Sequence, residues 1–339
     1  MSKQLLIVAL PALNEAATIG DVISRIPDSI TGIDEIQVIV IDDGSDDATS
    51  AIAKANGAKV IRHIERRGVG AAFQTAVKYA VQNQASFLAT LDSDGQFSPE
   101  DLPTLLEPVT NGDAEFSSAS RFKDPEMVPD MPWIKKWGNR KISQLISQLT
   151  GQKFYDVSCG MRCYNRKALL NLNLIGDFTY TQEVFLNLAF KKIRIVEVPI
   201  RVRGVREFGN SRVANSLIRY AVNSSRIIWR AYRDYRPLRF FGWLAVFLLV
   251  PAMVLFAFLM VHYLSTGRFS PHKWAGFTAA ALGVFSIMMF YAGMIGDMLV
   301  RHRIYLEELL YLTREQTAKK EKLADIDESK VETDVHYPR

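Results

Sequence analysis

Asp92 and Asp94 stand one residue apart at the end of an apolar run, Phe87–Leu91, with Gln96 two residues on and Pro99 opening the next segment. Two bare carboxylates this close repel, so one protonates or both meet a cation. An oxygen-only donor set of two Asp and a Gln amide suits a hard divalent ion, Mg2+ or Mn2+. Mg2+ gives up water reluctantly and commonly sits between one or two carboxylates and the phosphates of a substrate. The chemistry in view is a metal site for a phosphorylated ligand. A polar turn leading into a helix at Pro99 accounts for a lone Asp-x-Asp more simply, so the choice rests on the rest of the chain.

Other polar clusters follow other apolar runs. Pro11, Asn14 and Glu15 come after Gln4–Leu10, and Asp42-Asp43-Gly44-Ser45 comes after Glu35–Ile41. Arg66, Arg67, Gly68 and Gly70 come after Lys59–His63, and Arg121 after Ala114–Ser120. Between these runs lie helical stretches near Ala16–Arg25, Asp47–Asn56, Ala71–Gln84 and Pro99–Asn111. Strand–helix alternation at this spacing predicts an α/β domain with a mostly parallel sheet. Ligands of such sheets bind beyond the carboxyl ends of the strands, where these clusters fall. Each cluster alone could be a turn or a helix cap, and the glycines after Arg67 lack the Gly-Lys-Ser/Thr ending of a phosphate loop. Five strands ending in polar groups on one edge are hard to explain by turns.

Pro11-Ala12-Leu13-Asn14-Glu15, Ile41-Asp42-Asp43-Gly44-Ser45 and Asp92-Ser93-Asp94-Gly95-Gln96 resemble the nucleotide-sugar motifs of family 2 glycosyltransferases. Asp156-Val157-Ser158-Cys159-Gly160-Met161-Arg162 resembles that family's Asp-x-x-Ser-Gly-Phe-Arg stretch. Glu197-Val198-Pro199-Ile200 with Arg206-Glu207-Phe208-Gly209-Asn210-Ser211-Arg212 resembles its Glu-Val-Pro-Ile…Arg-x-x-Gly-x-Ser-Lys ending. The branch most alike is the polyprenyl-phosphate, dolichol-phosphate mannose synthase-like transferases. The resemblance covers roughly Leu5–Val213 and implies a GT-A, Rossmann-like fold. It further implies that Pro11, Leu13, Glu15, Ile41 and Asp43 hold the nucleoside, with Ser93 and Ser211 also on the nucleotide sugar. Asp92, Asp94 and Gln96 would hold the metal, and Arg121, Arg206 and Arg212 the phosphates and sugar, with Asp94 and these arginines catalytic. Leu13 stands where an aromatic is common, Gly95 replaces Leu, Cys159 replaces Ser, and Arg212 replaces Lys, exchanging a point charge for a planar fork.

The remaining chain points to a membrane. Phe240–Leu264 carries no charge, and Trp274–Leu299 carries only Asp297. Each exceeds the roughly 20 apolar residues that cross a bilayer. Arg230, Arg233, Arg236 and Arg239 precede the first span, and Arg301 and Arg303 follow the second. The intervening link has Arg268 and Lys273, so the positive-inside rule places the catalytic domain and both termini in the cytoplasm. Arg219, Arg226, Arg230 and Arg233 share one helical face within roughly 60°, as on a membrane-surface helix. A helix over Lys135–Thr150 carries Lys135, Lys136, Arg140 and Lys141, either a solvated basic face or a positive rim near lipid headgroups. The expected division is 1–212 for the GT-A domain, 213–239 for a juxtamembrane helix, 240–264 and 274–300 for the spans, and 301–339 for a cytoplasmic helix and tail.

The chain's formal charge of +5 is modest, and its two cysteines, Cys159 and Cys163, form no zinc or redox pattern. They are expected as free buried thiols. Leu5–Leu10 is too short for a signal segment and reads as a first strand. The resemblance implies inverting transfer of a hexose from a UDP- or GDP-sugar to undecaprenyl or dolichyl phosphate. The partners expected are the nucleotide diphosphate sugar, the polyprenyl phosphate and the membrane, with no nucleic acid and a homo-oligomer left open. Two rivals are a processive polysaccharide synthase of the same fold and a silent nucleotide-sugar-binding adaptor. The synthase would carry Gln-x-x-Arg-Trp and more spans, and neither is present.

Overall fold

The computed structural model describes residues 3–173, 180–203, 225–226, 229–230 and 232–333, with side chains as far as 317. The chain divides into two units, Met1–Ile227 with Leu309–Arg339 and Ile228–Glu308.

The first unit is built on a seven-stranded sheet in the order β3-β2-β1-β4-β6-β5-β7. The strands are β1 (Leu5–Ala12), β2 (Glu35–Asp42), β3 (Lys59–Arg62), β4 (Phe87–Thr90), β5 (Phe116–Ser120), β6 (Arg162–Asn165) and β7 (Ile195–Pro199). β1 lies near the middle, and its Leu6–Leu10 stretch is buried on both faces, as an apolar run without alternation requires. Helices α1 (Ile19–Ser24), α2 (Thr49–Ala55), α3 (Val69–Gln82) and α4 (Leu102–Thr110) form the crossovers, and a 3-10 turn, Pro99–Asp101, leads into α4. The four strands and four helices read from the pattern are thus present, with ends shifted by a few residues, and β5 is the fifth strand expected.

β6 was not anticipated, and it shapes the site. It runs antiparallel between β4 and β5, with Thr90 opposite Arg162 and Ser118 opposite Arg162. Its amino end therefore reaches the edge where the parallel strands end, carrying the loop 156–161 with it. β7 is parallel to β5 with Ser120 opposite Pro199, so the chain leaves β7 at that same edge. Four residues, one of them Arg162, give β6 no readable periodicity. The helix after it, α6 (Arg166–Asn171), did have a signal: Asn165 caps it, its Oδ1 accepting from Ala168 N at 2.9 Å. α5 (Trp133–Thr150) matches the helix expected at Lys135–Thr150, and α7 spans Tyr180–Phe190.

The second unit is an antiparallel helix pair, α8 (Pro237–Thr266) and the first part of α9 (Lys273–Thr333). Both helices are long and apolar enough to cross a membrane. Small residues let them pack closely: a Cβ at Gly296 would stand 2.6 Å from Pro237 Cβ, and Ser286 Oγ donates to Ala245 O at 2.8 Å. α9 passes through the expected second span and on into the segment expected as a cytoplasmic helix. It runs unbroken to Thr333, with no Pro or Gly after Gly296 and with Asp297–Arg301 and Arg303–Glu307 pairs one turn apart. Within the first unit, Arg314 from its later part donates to the carbonyls of Leu170 and Leu172 at 3.1 and 2.8 Å, satisfying the end of α6. Most of the juxtamembrane segment, Arg219 included, lies outside the described residues; Arg226 and Arg230 are helical and exposed.

Candidate active site

The loops after β1 and β2 are laced to one another. Asn14, in the left-handed region at φ 50°, receives Asp46 N on its side-chain oxygen at 2.8 Å, while its own N donates to Ser45 Oγ at 2.9 Å. Glu15 N donates to Thr49 Oγ1 at 2.9 Å. Buried Thr18 bridges to the third loop, donating to Ser93 O at 2.7 Å, and Ser93 Oγ donates to Pro11 O at 2.8 Å. Pro11, Leu13 and Glu15 are half-buried along this rim, and Ile41 is wholly buried beneath it. Asp42 holds Ser45 N at 2.8 Å and the Ser50 hydroxyl. Burial disfavours its charge, but these hydrogen bonds and Arg62 outweigh burial and hold the carboxyl below its ordinary value.

Asp43 has both oxygens engaged by protein donors. Oδ1 lies 2.8 Å from His63 Nδ1 and accepts from Arg67 N at 2.8 Å, and Oδ2 accepts from Gly68 N at 2.7 Å. His63 is steadied in turn by Thr75, at 2.9 Å from Nε2. Asp43 thus fastens the loop after β3, with Gly68 at φ 92°, to the end of β2. His63 and Thr75 had no sequence signal beyond their types.

Asp92 and Asp94 follow β4. Asp94 is buried and takes Gln96 N on Oδ1 at 3.0 Å; Asp92 is half-buried. Gly160, from the loop delivered by β6, lies against Asp92: a Cβ there would stand 2.6 Å from Oδ1 and 2.8 Å from Cγ. Only glycine leaves that carboxylate its place. Burial, then the Asp92 charge, pushes the phenol of Tyr180 well above its ordinary range, so Tyr180 stays neutral beside it. Tyr180 is stacked on Phe73 at 4.1 Å. Among the described residues no group of three His, Cys, Asp or Glu converges as a protein-only metal cage. Two carboxylates and an amide from one loop are donor types that fit Mg2+ or Mn2+ shared with a phosphate ligand. Gln96 Nε2 donates to Arg203 O at 3.4 Å and Arg203 N to Gln96 O at 3.1 Å, so the chain after β7 passes this loop. Arg206, Ser211 and Arg212 lie outside the described residues.

Arg121, after β5, is turned to wholly buried Asp156. Its Nε donates to Oδ2 at 2.6 Å and its Nη2 to Oδ1 at 2.9 Å, and Nη2 also reaches Ser158 Oγ at 2.8 Å. Burial opposes the charge on Asp156, but the Arg121 fork prevails and keeps the carboxyl below its ordinary value. Glu197 accepts from Tyr155 N and Asp156 N at 2.8 and 2.7 Å, and burial raises its own carboxyl. The Asp156 motif therefore acts here through Arg121. Arg162, wholly buried, donates to the carbonyls of Cys159, Val157 and Thr181 and closes the same loop from beneath. Cys159 and Cys163 are free and buried as expected; burial pushes the Cys159 thiol to about 12, which removes it as a nucleophile.

Residues 7–172 match glycosyl transferase family 2. The chain is 31% identical over 242 residues to the UDP-N-acetylglucosamine–dolichyl-phosphate N-acetylglucosaminyltransferase of Methanococcus voltae, covering 66% of this chain and 94% of that protein. It belongs to that family. This family 2 glycosyltransferase is also 27% identical over 228 residues to the polyprenol monophosphomannose synthase of Mycolicibacterium smegmatis, covering 64% of this chain and 83% of that one. Its fold is shared with glucosyl-3-phosphoglycerate synthase from Mycobacterium tuberculosis, solved with Mn2+, uridine diphosphate glucose and phosphoglyceric acid. That likeness has a TM-score of 0.54 at 22% identity and covers 68% of this chain and 80% of that one. The silent adaptor is thereby set aside: the chain is a glycosyltransferase.

Proposed function

We propose that this glycosyltransferase moves a hexose from a nucleotide diphosphate sugar to a polyprenyl phosphate at the cytoplasmic face of a membrane. The observation that carries the reading is the coexistence in one chain of a strand-edge carboxylate pair, Asp92 and Asp94, with two helices of membrane-spanning length. The names of the relatives, which act on dolichyl or polyprenol phosphate, support it. The rim of Pro11, Leu13 and Glu15, floored by Ile41, would take the nucleoside, with Asp43 shaping the loop that closes on it. Ser93 and Ser211 would line the nucleotide sugar. Asp92, Asp94 and Gln96 would hold Mg2+ or Mn2+, which when bound neutralises charge growing on the leaving diphosphate. Arg121, Arg206 and Arg212 would bind phosphate and sugar oxygens, Arg121 from a fork already oriented by Asp156.

The acceptor phosphate is anionic at neutral pH and attacks the anomeric carbon directly. The bond from that carbon to the diphosphate breaks, the nucleoside diphosphate leaves with the electron pair, and a carbon–oxygen bond to the lipid phosphate forms. No protein base is required. Attack opposite the leaving group inverts the anomeric centre. The test is incubation of membranes holding the protein with labelled UDP- and GDP-sugars and either undecaprenyl or dolichyl phosphate. Label in an organic-extractable lipid of one sugar per phosphate is expected; label in a polymer, or in no lipid with any donor, would overturn the reading.

A further inference from the structure

We propose that His63 is a specificity-determining residue for the donor nucleotide, given the placement of the nucleoside beside Asp43 proposed above. It fixes Asp43 so that the site takes a uridine diphosphate sugar and refuses a guanosine diphosphate sugar. Asp43 N donates to Ala12 O at 2.9 Å, which sets the residue next to Leu13 on the nucleoside rim. His63 follows β3, and its N donates to Asp42 O at 2.8 Å, so the ring is carried to the end of β2. The side chains of Asp43 and His63 are each 6% exposed.

A carboxylate has about four acceptor positions, two on each oxygen. Its oxygens accept, so His63 Nδ1 carries the hydrogen and donates to Oδ1 at 2.8 Å. Arg67 N takes the second position on Oδ1 at 2.8 Å, and Gly68 N takes one on Oδ2 at 2.7 Å. Among the described residues no further donor reaches Asp43, so one position remains, on Oδ2. Thr75, whose Oγ1 lies 2.9 Å from Nε2, holds the ring from α3, and Gly68 stands at the start of the same helix. Turning the carboxylate would break its contacts to the ring and to the loop before α3.

The open position selects among bases by their edges. Uracil presents one N–H, at N3, between two carbonyl oxygens, and that N–H fills the position. Guanine presents two donors side by side, N1–H and an amino hydrogen, which a carboxylate meets with both oxygens. Oδ1 is full, so one guanine donor would stay unmatched or displace a loop N–H, and an unmatched buried donor is costly. Cytosine at N3 and adenine at N1 turn a lone pair toward the carboxylate, which repels it. Arg66 and Arg67, exposed in the same loop, supply donors for the uracil carbonyl oxygens.

The test is calorimetry on the full chain in nanodiscs with Mg2+ present, titrated with UDP, GDP, CDP and 3-methyluridine diphosphate, whose N3 carries no hydrogen. UDP is expected to bind at least roughly tenfold tighter than each of the others. His63→Asn offers Asp43 an N–H in the place of Nδ1 and should keep that ratio. His63→Leu removes the donor, lets the carboxylate turn both oxygens to the base, and should narrow the UDP-to-GDP ratio by about fivefold or more. GDP bound by the wild-type protein as tightly as UDP, or methylation at N3 without effect, would overturn the proposal. So would an unchanged ratio in a folded His63→Leu protein, which would leave the selection to other residues. Where His63→Leu does not fold, the wild-type series and His63→Asn decide. Asp43→Ala separates this from the reading beneath it. Unchanged UDP affinity in that variant removes the nucleoside from Asp43 altogether. Weakened UDP binding there, with GDP equal to UDP in the wild type, leaves the site in place and rejects the base selection.

Discussion

Asp94→Ala leaves Asp92 without its neighbour at the end of β4. Metal neutralisation of a leaving group supplies several kcal/mol, so the transfer rate should fall by roughly 10²-fold or more. Initial rates with Mg2+ and Mn2+ and after chelation measure this, and full activity of the variant in chelator would contradict the assignment. Gly160→Ala probes the same carboxylate from outside it. Gly160 is not held at positive φ, so the backbone accepts alanine, but the new methyl would occupy the place of the Asp92 carboxylate. A loss of about 10–100-fold in Mn2+ affinity, typical when the support of a ligand is disturbed, is expected by electron paramagnetic titration, with the melting temperature little changed. Asp43→Ala should weaken binding of the free nucleoside diphosphate more than it slows turnover, because Asp43 anchors Arg67 and Gly68 rather than reacting atoms. Calorimetry decides it; an unchanged dissociation constant counts against the role.

At the scale of elements, the loop between α5 and β6 depends on one buried ion pair. Asp156→Ala leaves Arg121 without its partner and should cost about 3–5 kcal/mol, read as a lower unfolding temperature. The pH dependence follows from the depressed Asp156 carboxyl. Its contribution is fully present above the unfolded value near ~3.9 and is lost as pH falls through the lower folded value. The wild-type protein should therefore hold this stability down to about pH 4 and lose it in stronger acid, whereas Asp156→Asn should flatten that acid limb. Thermal unfolding scanned from pH 2 to 7 in one detergent distinguishes the two profiles.

For the whole molecule, two membrane-length helices with an intervening link predict that the amino and carboxyl ends share one side. By the positive-inside rule, the arginines before α8 and after Met298 predict that this side is the cytoplasm. Single cysteines at Arg268 in the link and at Gln316 in α9, in a background whose own thiols are buried, test this with a membrane-impermeant maleimide. Only the Arg268→Cys chain should label in intact cells, and only Gln316→Cys should require lysis. Labelling of Gln316→Cys from outside would reverse the topology and place the catalytic unit on the other face.

What the sequence by itself determined was local and periodic. Apolar runs such as Leu6–Leu10 and Phe87–Leu91, alternating with helical stretches, marked core strands of a mostly parallel sheet, and two stretches carrying a single charge in all, each longer than a bilayer is thick, marked candidate spans. The ordered motifs around Asp43, Asp92 and Asp156 were enough to place the chain among family 2 glycosyltransferases. Tertiary structure decided which of those polar residues face one another. No spacing rule places Gly160 against Asp92 or turns Arg121 to Asp156, because both depend on the antiparallel insertion of β6, a four-residue strand too short to show a period. Nor does the helical period of α5 show that its tryptophans point outward, since that depends on which face the loop at Asp156 occupies.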